Sequence, residues 1–297
     1  MKNKILIIDG DNLLHRAYHK FGGLVNQKGK PTSSIYGFPY ILRSMVNKFK
    51  PDILYVAFDG GKHDKRVRVL PDYKKREHKA DFDYEDFLHQ KKVVIDLVFA
   101  FGAIVLHKKG MEADDLIYSL IKKEKLEEHY VTLVSSDKDF HQLLNHSIKI
   151  YNPFKDKLIT IKNVKELYGY TSDQATDYLI IDGDKSDNIP GYPNMGPKRI
   201  SDFFNDFNSI GSYLSSDSSH RIMEKSKLKE IYKRNKLLID LRYFYLKFLR
   251  KEPLPYLNGV NNKHKMLTVH IAKICNIYDI NTLLKPEFIE TFKRICV

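Results

Sequence analysis

Carboxylates recur where apolar runs end. Asp9 and Asp11 follow the run 5–8, Asp59 follows 53–58, and Asp137 and Asp139 follow 131–134. Glu112, Asp114 and Asp115 open a helical pattern, and Asp184 and Asp187 lie in the segment IDGDKSDN. Taken singly, each has a bland reading: an Asp after a strand is often a turn residue, and acids in a first helical turn complement the helix dipole. Taken together they point to divalent cations, because so many acids brought to one edge repel unless cations neutralise them. An all-oxygen set without His or Cys suits Mg²⁺ or Mn²⁺ rather than zinc. Mg²⁺ keeps several waters and takes few direct carboxylates, so two ions share the set, some ligands acting through water. Two ions roughly 3.5–4 Å apart can activate an attacking water and stabilise the leaving oxygen in phosphodiester hydrolysis. Asp11 is left outside the metal set, since its side chain can instead cap a helix starting near Leu13.

A parallel sheet is the element that would bring these acids together, because ligands of open parallel sheets bind beyond the carboxyl ends of the strands. Strands are predicted at 5–8, 53–58, 103–106, 131–134 and 148–151. They alternate with helices at 33–49, 84–101 and 113–125. Ser33 or Ser34 is the expected cap of the first, with Gly37 and Pro39 weakening its start. The alternation implies an α/β fold with a mostly parallel twisted sheet and helices on both faces. After about residue 163 the pattern becomes helical, at 164–167, 172–181, 197–204 and 225–241. The expected division is therefore a core over 1–163, including a basic element at about 60–85, and a helical region with a C-terminal tail over 164–297.

Charge indicates the partner. The 297 residues carry a formal net charge of +13, and a balance that basic suggests a polyanion, usually nucleic acid. Hydrophobic residues make up 42 % of the chain, enough for a core, which excludes gross disorder. Its two cysteines offer no zinc spacing and imply a reducing compartment. Absence of a signal sequence and of any apolar run of about 18 residues implies a cytoplasmic protein with no membrane partner. Residues 60–80 hold eight Lys or Arg (Lys62, Lys65, Arg66, Arg68, Lys74, Lys75, Arg76, Lys79) against three acids. They show no apolar face and read as an exposed element. The loop 191–199 lies between two predicted helices. Gly196 can adopt backbone conformations barred to other residues, Pro197 fits a first helical position, and Lys198 and Arg199 add charge beside free helix N–H groups. It reads either as a sequence-independent phosphate contact or as an ordinary helix–turn–helix connection. The lysine-rich helix at 225–236 reads either as an extension of that footprint or as a solvated face.

In order, the segments IDGDNLLHRAYH, FDGGKHDKR, LPDYKKR, GMEADDLI, SSDKDFHQLL and DGDKSDNIPG…GPKR resemble the 5′-nuclease (flap endonuclease) family. The likeness is to the 5′-nuclease domains of bacterial family-A DNA polymerases and to the stand-alone phage enzymes. It covers residues 5 to about 205. The resemblance implies a PIN-like or resolvase-like nuclease core, a helical arch near 62–85 and a helix–turn–helix element for duplex DNA. It implies that Asp9, Asp59, Glu112, Asp114, Asp115, Asp137, Asp139, Asp184 and Asp187 are the metal-site acids. By the same resemblance Lys74 contacts the scissile phosphate, Arg16 approaches it and Tyr73 stacks on a base. Lys65, Arg66, Arg68, Lys75 and Arg76 are then arch contacts to DNA. Gly191, Gly196, Lys198 and Arg199 form the duplex-binding loop, whose carbonyls can hold K⁺. Two departures stand out: Arg76 comes one residue earlier than in the family's Tyr-Lys-x-x-Arg, and the loop reads Tyr192-Pro193-Asn194-Met195 where relatives have Val-Pro-Gly-Ile.

The resulting expectation is a monomeric, structure-specific 5′-3′ exonuclease or flap endonuclease of replication or repair. Its substrate would be nicked or branched duplex DNA with a 5′ flap, or an RNA primer annealed to DNA. The rivals are a PIN-type ribonuclease and a non-catalytic protein that binds branched DNA.

Overall fold

Short apolar runs without polar alternation form strands that can be buried on both faces. In this computed structural model, which describes residues 2–75 and 82–296, four of them become β1 (Lys4–Asp9), β2 (Ile53–Phe58), β3 (Ile104–His107) and β4 (Tyr130–Val134). A hairpin follows, β5 (Ile148–Asn152) and β6 (Lys157–Ile159). The longer helices of the first half are α1 (Gly10–Lys20), α2 (Ser33–Phe49), α4 (Tyr84–Ala100) and α5 (Ala113–Lys123), with a short α3 (Asp64–Val69) in the basic segment. Then come α6 (Val164–Tyr168), α7 (Ala175–Asp182), α8 (Pro197–Phe207), α9 (Ile210–Ser215), α10 (Lys225–Ile239) and α11 (Leu241–Phe244). The C-terminal tail, unread in the sequence, forms α12 (Thr268–Tyr278) and α13 (Pro286–Lys293).

The chain forms two compact units, one of Met1–Gly60, Glu77–Ser135 and Pro253–Val297, the other of Gly61–Arg76 and Ser136–Glu252. The division expected near residue 163 is one of element type: β1 to β6 precede it and helices dominate after it. The units follow contacts, which group 61–76 with 136–252.

In the first unit the strands run parallel in the order β3-β2-β1-β4. Ile8 pairs with Val56 on one side and with Val134 on the other, and Phe58 pairs with His107. Their carboxyl ends therefore share one edge. From β1 the chain moves outward to β2 and β3, then returns through α5 to β4 on the other side of β1. The strand order thus switches between β1 and β4, where open α/β sheets leave a crevice for ligands. Right-handed crossovers put α5 on the face opposite α2 and α4. Around α2 and α4 pack α1, α12 and α13, burying Leu13, Leu14, Phe38, Leu42, Val94, Val98, Phe101, Ile271 and Phe292.

The start of α2 departs from expectation. Thr32 is the N-cap and its side chain makes no capping bond. The Ser34 N–H instead donates to Gln90 Oε1 of α4 at 2.7 Å, while Gln90 Nε2 donates to Asp86 at 2.7 Å. A tertiary partner does what a local cap does elsewhere. Pro39 is accommodated inside the helix.

In the second unit β5 and β6 pair antiparallel, and their turn is braced by Asn152, whose Oδ1 accepts the N–H groups of Phe154 and Lys155. Helix α7 packs against α8 and α10, with Phe140, Tyr170, Tyr178, Phe203, Tyr213 and Phe244 buried in this unit. The fully buried Asn235 of α10 donates to the carbonyls of Ile180 and Pro190, both at 3.0 Å. It thereby ties the segment carrying Asp184 and Asp187 to the helical body.

Replacing Gln90 with Leu leaves the buried Ser34 N–H without its acceptor, so stability should fall by about 1–3 kcal/mol. Urea denaturation reads this directly, and an unchanged midpoint would show that α2 needs no partner at its start.

Candidate metal centre

The first unit supplies one set of acids. Asp9 ends β1 and is the N-cap of α1; its carboxylate accepts the Asn12 N–H at 3.2 Å and the buried Ser135 hydroxyl at 2.7 Å. Ser135 follows β4, so this bond spans the switch point of the sheet. Asp59 follows β2, and its Oδ1 accepts the Ala113 N–H, the first of α5, at 2.7 Å. Glu112 is the buried N-cap of α5, and Asp114 and the buried Asp115 stand in its first turn. That helix start favours negative charge. The turn before it is held close: Gly60 N–H donates to Met111 O, Gly110 N–H donates to Gly60 O, both at 2.7 Å. A Cβ on Gly60 would meet the Lys108 carbonyl oxygen at 1.7 Å, so only glycine fits there.

Asp11, left out of the metal set, does not cap a helix. Its Oδ2 accepts the Asp59 backbone N–H at 2.6 Å, and its Oδ1 is paired with the Lys91 ammonium. Burial, then the Asp59 charge, pushes the Asp11 carboxyl up to about 6 against the opposing pull of Lys91.

A second set belongs to the second unit. Asp137 and Asp139 offer carboxylate oxygens within 4.8 Å of each other, and the Asp139 N–H donates to Asp137 Oδ1 at 2.8 Å. Asp184 accepts the N–H and hydroxyl of Ser186, both at 2.7 Å, and the Asp187 N–H at 3.3 Å. Burial, then the Asp137, Asp187 and Asp184 carboxylates, holds the Asp139 carboxyl well above its ordinary value, with Lys74 pulling the other way. Hard oxygens crowded until one resists ionisation are what a divalent cation relieves, so the residues present fit Mg²⁺ or Mn²⁺.

Lys74 stands beside these acids. Its ammonium is 3.6 Å from Asp187 Oδ2, and its backbone N–H donates to the Asp187 carbonyl at 2.9 Å. Lys74 takes a left-handed backbone, φ 50°. Asn188, also left-handed, donates to the carbonyls of Asp72 and Lys75 at 2.9 and 2.8 Å. The basic segment is thus fastened at its root to the acidic loop.

Placement divides the remaining candidates. Lys65, Arg68 and Lys75 are exposed. Arg66 is not on the surface with them: it is buried, its guanidinium 3.9 Å from the centroid of the Phe244 ring, because a planar cation stacks well on an aromatic face. Tyr73 is buried too, its ring 5.4 Å from the Lys74 ammonium. Arg76 lies outside the described residues. Arg16 is half-buried on α1. In the loop 191–199 Asn194 takes a left-handed backbone, φ 60°, which Asn tolerates better than most residues. Gly196 is extended at φ −92° and is the N-cap of α8, with Pro197 in the first turn. Gly191 is needed for close approach, since a Cβ there would meet the Asp182 carbonyl oxygen at 2.3 Å. Lys198 and Arg199 are exposed, and Arg199 donates to the Asn194 carbonyl at 2.7 Å.

The family described as 5′-3′ exonuclease, N-terminal resolvase-like domain, matches residues 4–169. A 5′-3′ exonuclease of Aquifex aeolicus is 32 % identical over 241 residues, covering 80 % of this chain and 82 % of that one. The chain belongs to the 5′-3′ exonuclease family. As a member it is a metal-dependent nuclease. DNA polymerase I of Thermus aquaticus is 33 % identical over 215 residues, covering 72 % of this chain but 25 % of the polymerase, so the likeness is to a quarter of that enzyme. The fold is shared with the flap endonuclease of bacteriophage T5, solved as a pseudo-enzyme-product complex with DNA and metal ions. That match has a TM-score of 0.70 at 22 % identity, over 92 % of this chain and 98 % of that one. No helix among the described residues is long and apolar enough to cross a membrane.

A carboxyl whose pKa is raised by folding holds its proton more tightly in the folded chain. Its contribution to stability is complete below about pH 3.8 and is lost as pH rises through the raised value. In EDTA, Asp139→Asn should therefore gain melting temperature relative to wild type as pH is raised from about 5 to about 8. Saturating Mg²⁺ should reverse the ranking. A constant difference between the two proteins across that range would remove the crowding argument.

Proposed function

We propose that this chain hydrolyses phosphodiesters near 5′ ends and junctions. Its substrate is duplex DNA carrying a 5′ single-stranded flap, nick or gap, or an RNA primer annealed to DNA, met in replication or repair. The observation that carries the reading is Lys74: a cation whose main chain and ammonium are both held by Asp187, beside the Asp139 carboxyl that burial, then the neighbouring carboxylates, holds well above its ordinary value. Asp9, Asp59, Glu112, Asp114 and Asp115 of one unit and Asp137, Asp139, Asp184 and Asp187 of the other supply the oxygens for two ions, Mg²⁺ or Mn²⁺. When bound, such ions supply Lewis-acid activation of water and neutralise charge on the leaving oxygen. Lys74 opposes negative charge developing on the scissile phosphate, and Arg16 approaches that phosphate. Tyr73 lies against Lys74 and restricts where its ammonium can stand. Lys65, Arg68 and Lys75 grip the single strand through its backbone, without reading bases. Gly191, Gly196, Lys198 and Arg199 present the start of α8 to a duplex phosphate, with K⁺ held by carbonyls of 191–198. Cleavage leaves 5′-phosphate and 3′-hydroxyl ends, and the protein acts as a monomer.

A duplex with a 5′ flap labelled at the flap end, incubated with Mg²⁺ and separately with EDTA, tests this on a denaturing gel. Cleavage at or near the junction with Mg²⁺ alone is expected. Binding without cleavage would make the protein a branched-DNA binder, and activity confined to single-stranded RNA would make it a PIN-type ribonuclease.

Substitutions separate the roles. Asp139→Asn and Asp187→Asn should each abolish cleavage while flap binding in a gel shift persists; equal loss of both would count against a metal-specific role. Lys74→Ala should slow the single-turnover rate by about 10²- to 10³-fold, the usual effect of removing one group that stabilises transition-state charge. An unchanged rate would exclude Lys74 from the chemistry.

A further inference from the structure

The buried Asp11–Lys91 pair is unexplained by anything above. The two residues come from the first turn of α1 and from α4, eighty positions apart. A buried ion pair is weak evidence for stability, because desolvating both charges offsets their attraction. Here, however, both members of the pair turn to the main chain of the same residue, Asp59. Asp11 Oδ2 accepts the Asp59 N–H at 2.6 Å, while Lys91 Nζ donates to the Asp59 carbonyl at 2.8 Å. The two backbone polar groups of Asp59 are therefore clamped by opposite ends of one ion pair. The Asp59 carboxylate is held separately, by Ala113 N–H on Oδ1. With main chain and one oxygen both fixed, the direction of the other oxygen is fixed as well.

We propose that Asp11 and Lys91 are positioning residues whose task is to hold Asp59 in the orientation that receives a divalent cation. The inference rests on Asp59 being a metal ligand, as proposed above. Groups that orient a ligand from behind typically change metal affinity or activity 10- to 100-fold when removed. A misplacement of about 1 Å is enough to produce such losses.

The test uses the full chain and four variants: Asp11→Ala, Lys91→Met, the double variant and Asp11→Asn. Three quantities are read: melting temperature in EDTA, Mn²⁺ affinity by calorimetry and single-turnover cleavage of the flap substrate. Each single replacement of Asp11 by Ala or Lys91 by Met leaves a buried charge unpaired and should lower the melting temperature. The double variant removes both charges and should recover most of it. A pair that only stabilised the fold would recover metal binding in step. A positioning pair would not: Mn²⁺ affinity and rate in the double variant should stay about 10- to 100-fold below wild type. Asp11→Asn keeps an oxygen for the Asp59 N–H and should lose less than Asp11→Ala in both.

A double variant that folds and matches wild type in Mn²⁺ affinity and rate overturns the proposal. If the double variant does not fold, the comparison of Asp11→Asn with Asp11→Ala decides, and equal effects of the two overturn it. Wild type serves as the control for the underlying reading. Should wild type neither bind Mn²⁺ nor cleave, the proposed function fails; should it do both while the variants match it, only this inference fails.

Discussion

Carboxylates gathered in half-buried surroundings repel one another, and most of the local structure answers that repulsion. In the first unit the answer is hydrogen bonds from rigid donors: Asn12 N–H and Ser135 hydroxyl to Asp9, Ala113 N–H to Asp59. In the second unit the loops fold on themselves, so that Asp137 and Asp184 accept N–H groups two or three residues ahead. Donors of this kind orient a carboxylate and favour its charged form without neutralising its field. The Asp139 carboxyl is raised by its burial and then by that repulsion. Lys74 relieves part of it, and divalent cations are the chemical species suited to the rest.

Orientation requires that the main chain behind each acid be immobile. The strand order places Asp9 at the switch point, where a crevice between β1 and β4 is a geometric consequence of the crossovers. Gly60 allows the turn after β2 to touch the turn before α5, which sets Asp59 against Ala113. Asn235 does the equivalent for the acidic loop of the second unit by holding Pro190 and Ile180. Each is a polar or small residue that fixes the main chain beside a carboxylate.

The basic segment illustrates how one composition divides into two jobs. Its exposed members, Lys65, Arg68 and Lys75, keep their charge in water. Arg66 is desolvated against Phe244 and serves packing, as a guanidinium can and an ammonium does less well. Asn188 then fastens the root of the segment to the loop that carries Asp187. Charge near the acids and exposed charge are thus joined through one short stretch of chain.

Much of this was legible in the amino-acid order because it is local. Apolar runs of strand length, helical spacing and the acids that follow them are properties of neighbouring residues. Strands β1, β2, β4 and β5, and helices α2, α4 and α8, accordingly start within about two residues of their predicted bounds. The family motifs are local too, and they carried the reaction class. What the sequence could not contain is pairing across distance. Gln90 capping α2, Ser135 reaching Asp9, Asn235 holding the acidic loop and Lys91 meeting Asp11 each join residues tens of positions apart. Burial was equally out of reach: Arg66 and Arg68 are the same residue type two positions apart, and only packing against Phe244 makes one interior and leaves the other at the surface. Amino-acid order determined which groups are available for chemistry; the tertiary structure decided which backbone each is braced against, because a side chain's direction is set by contacts that close only when the chain folds.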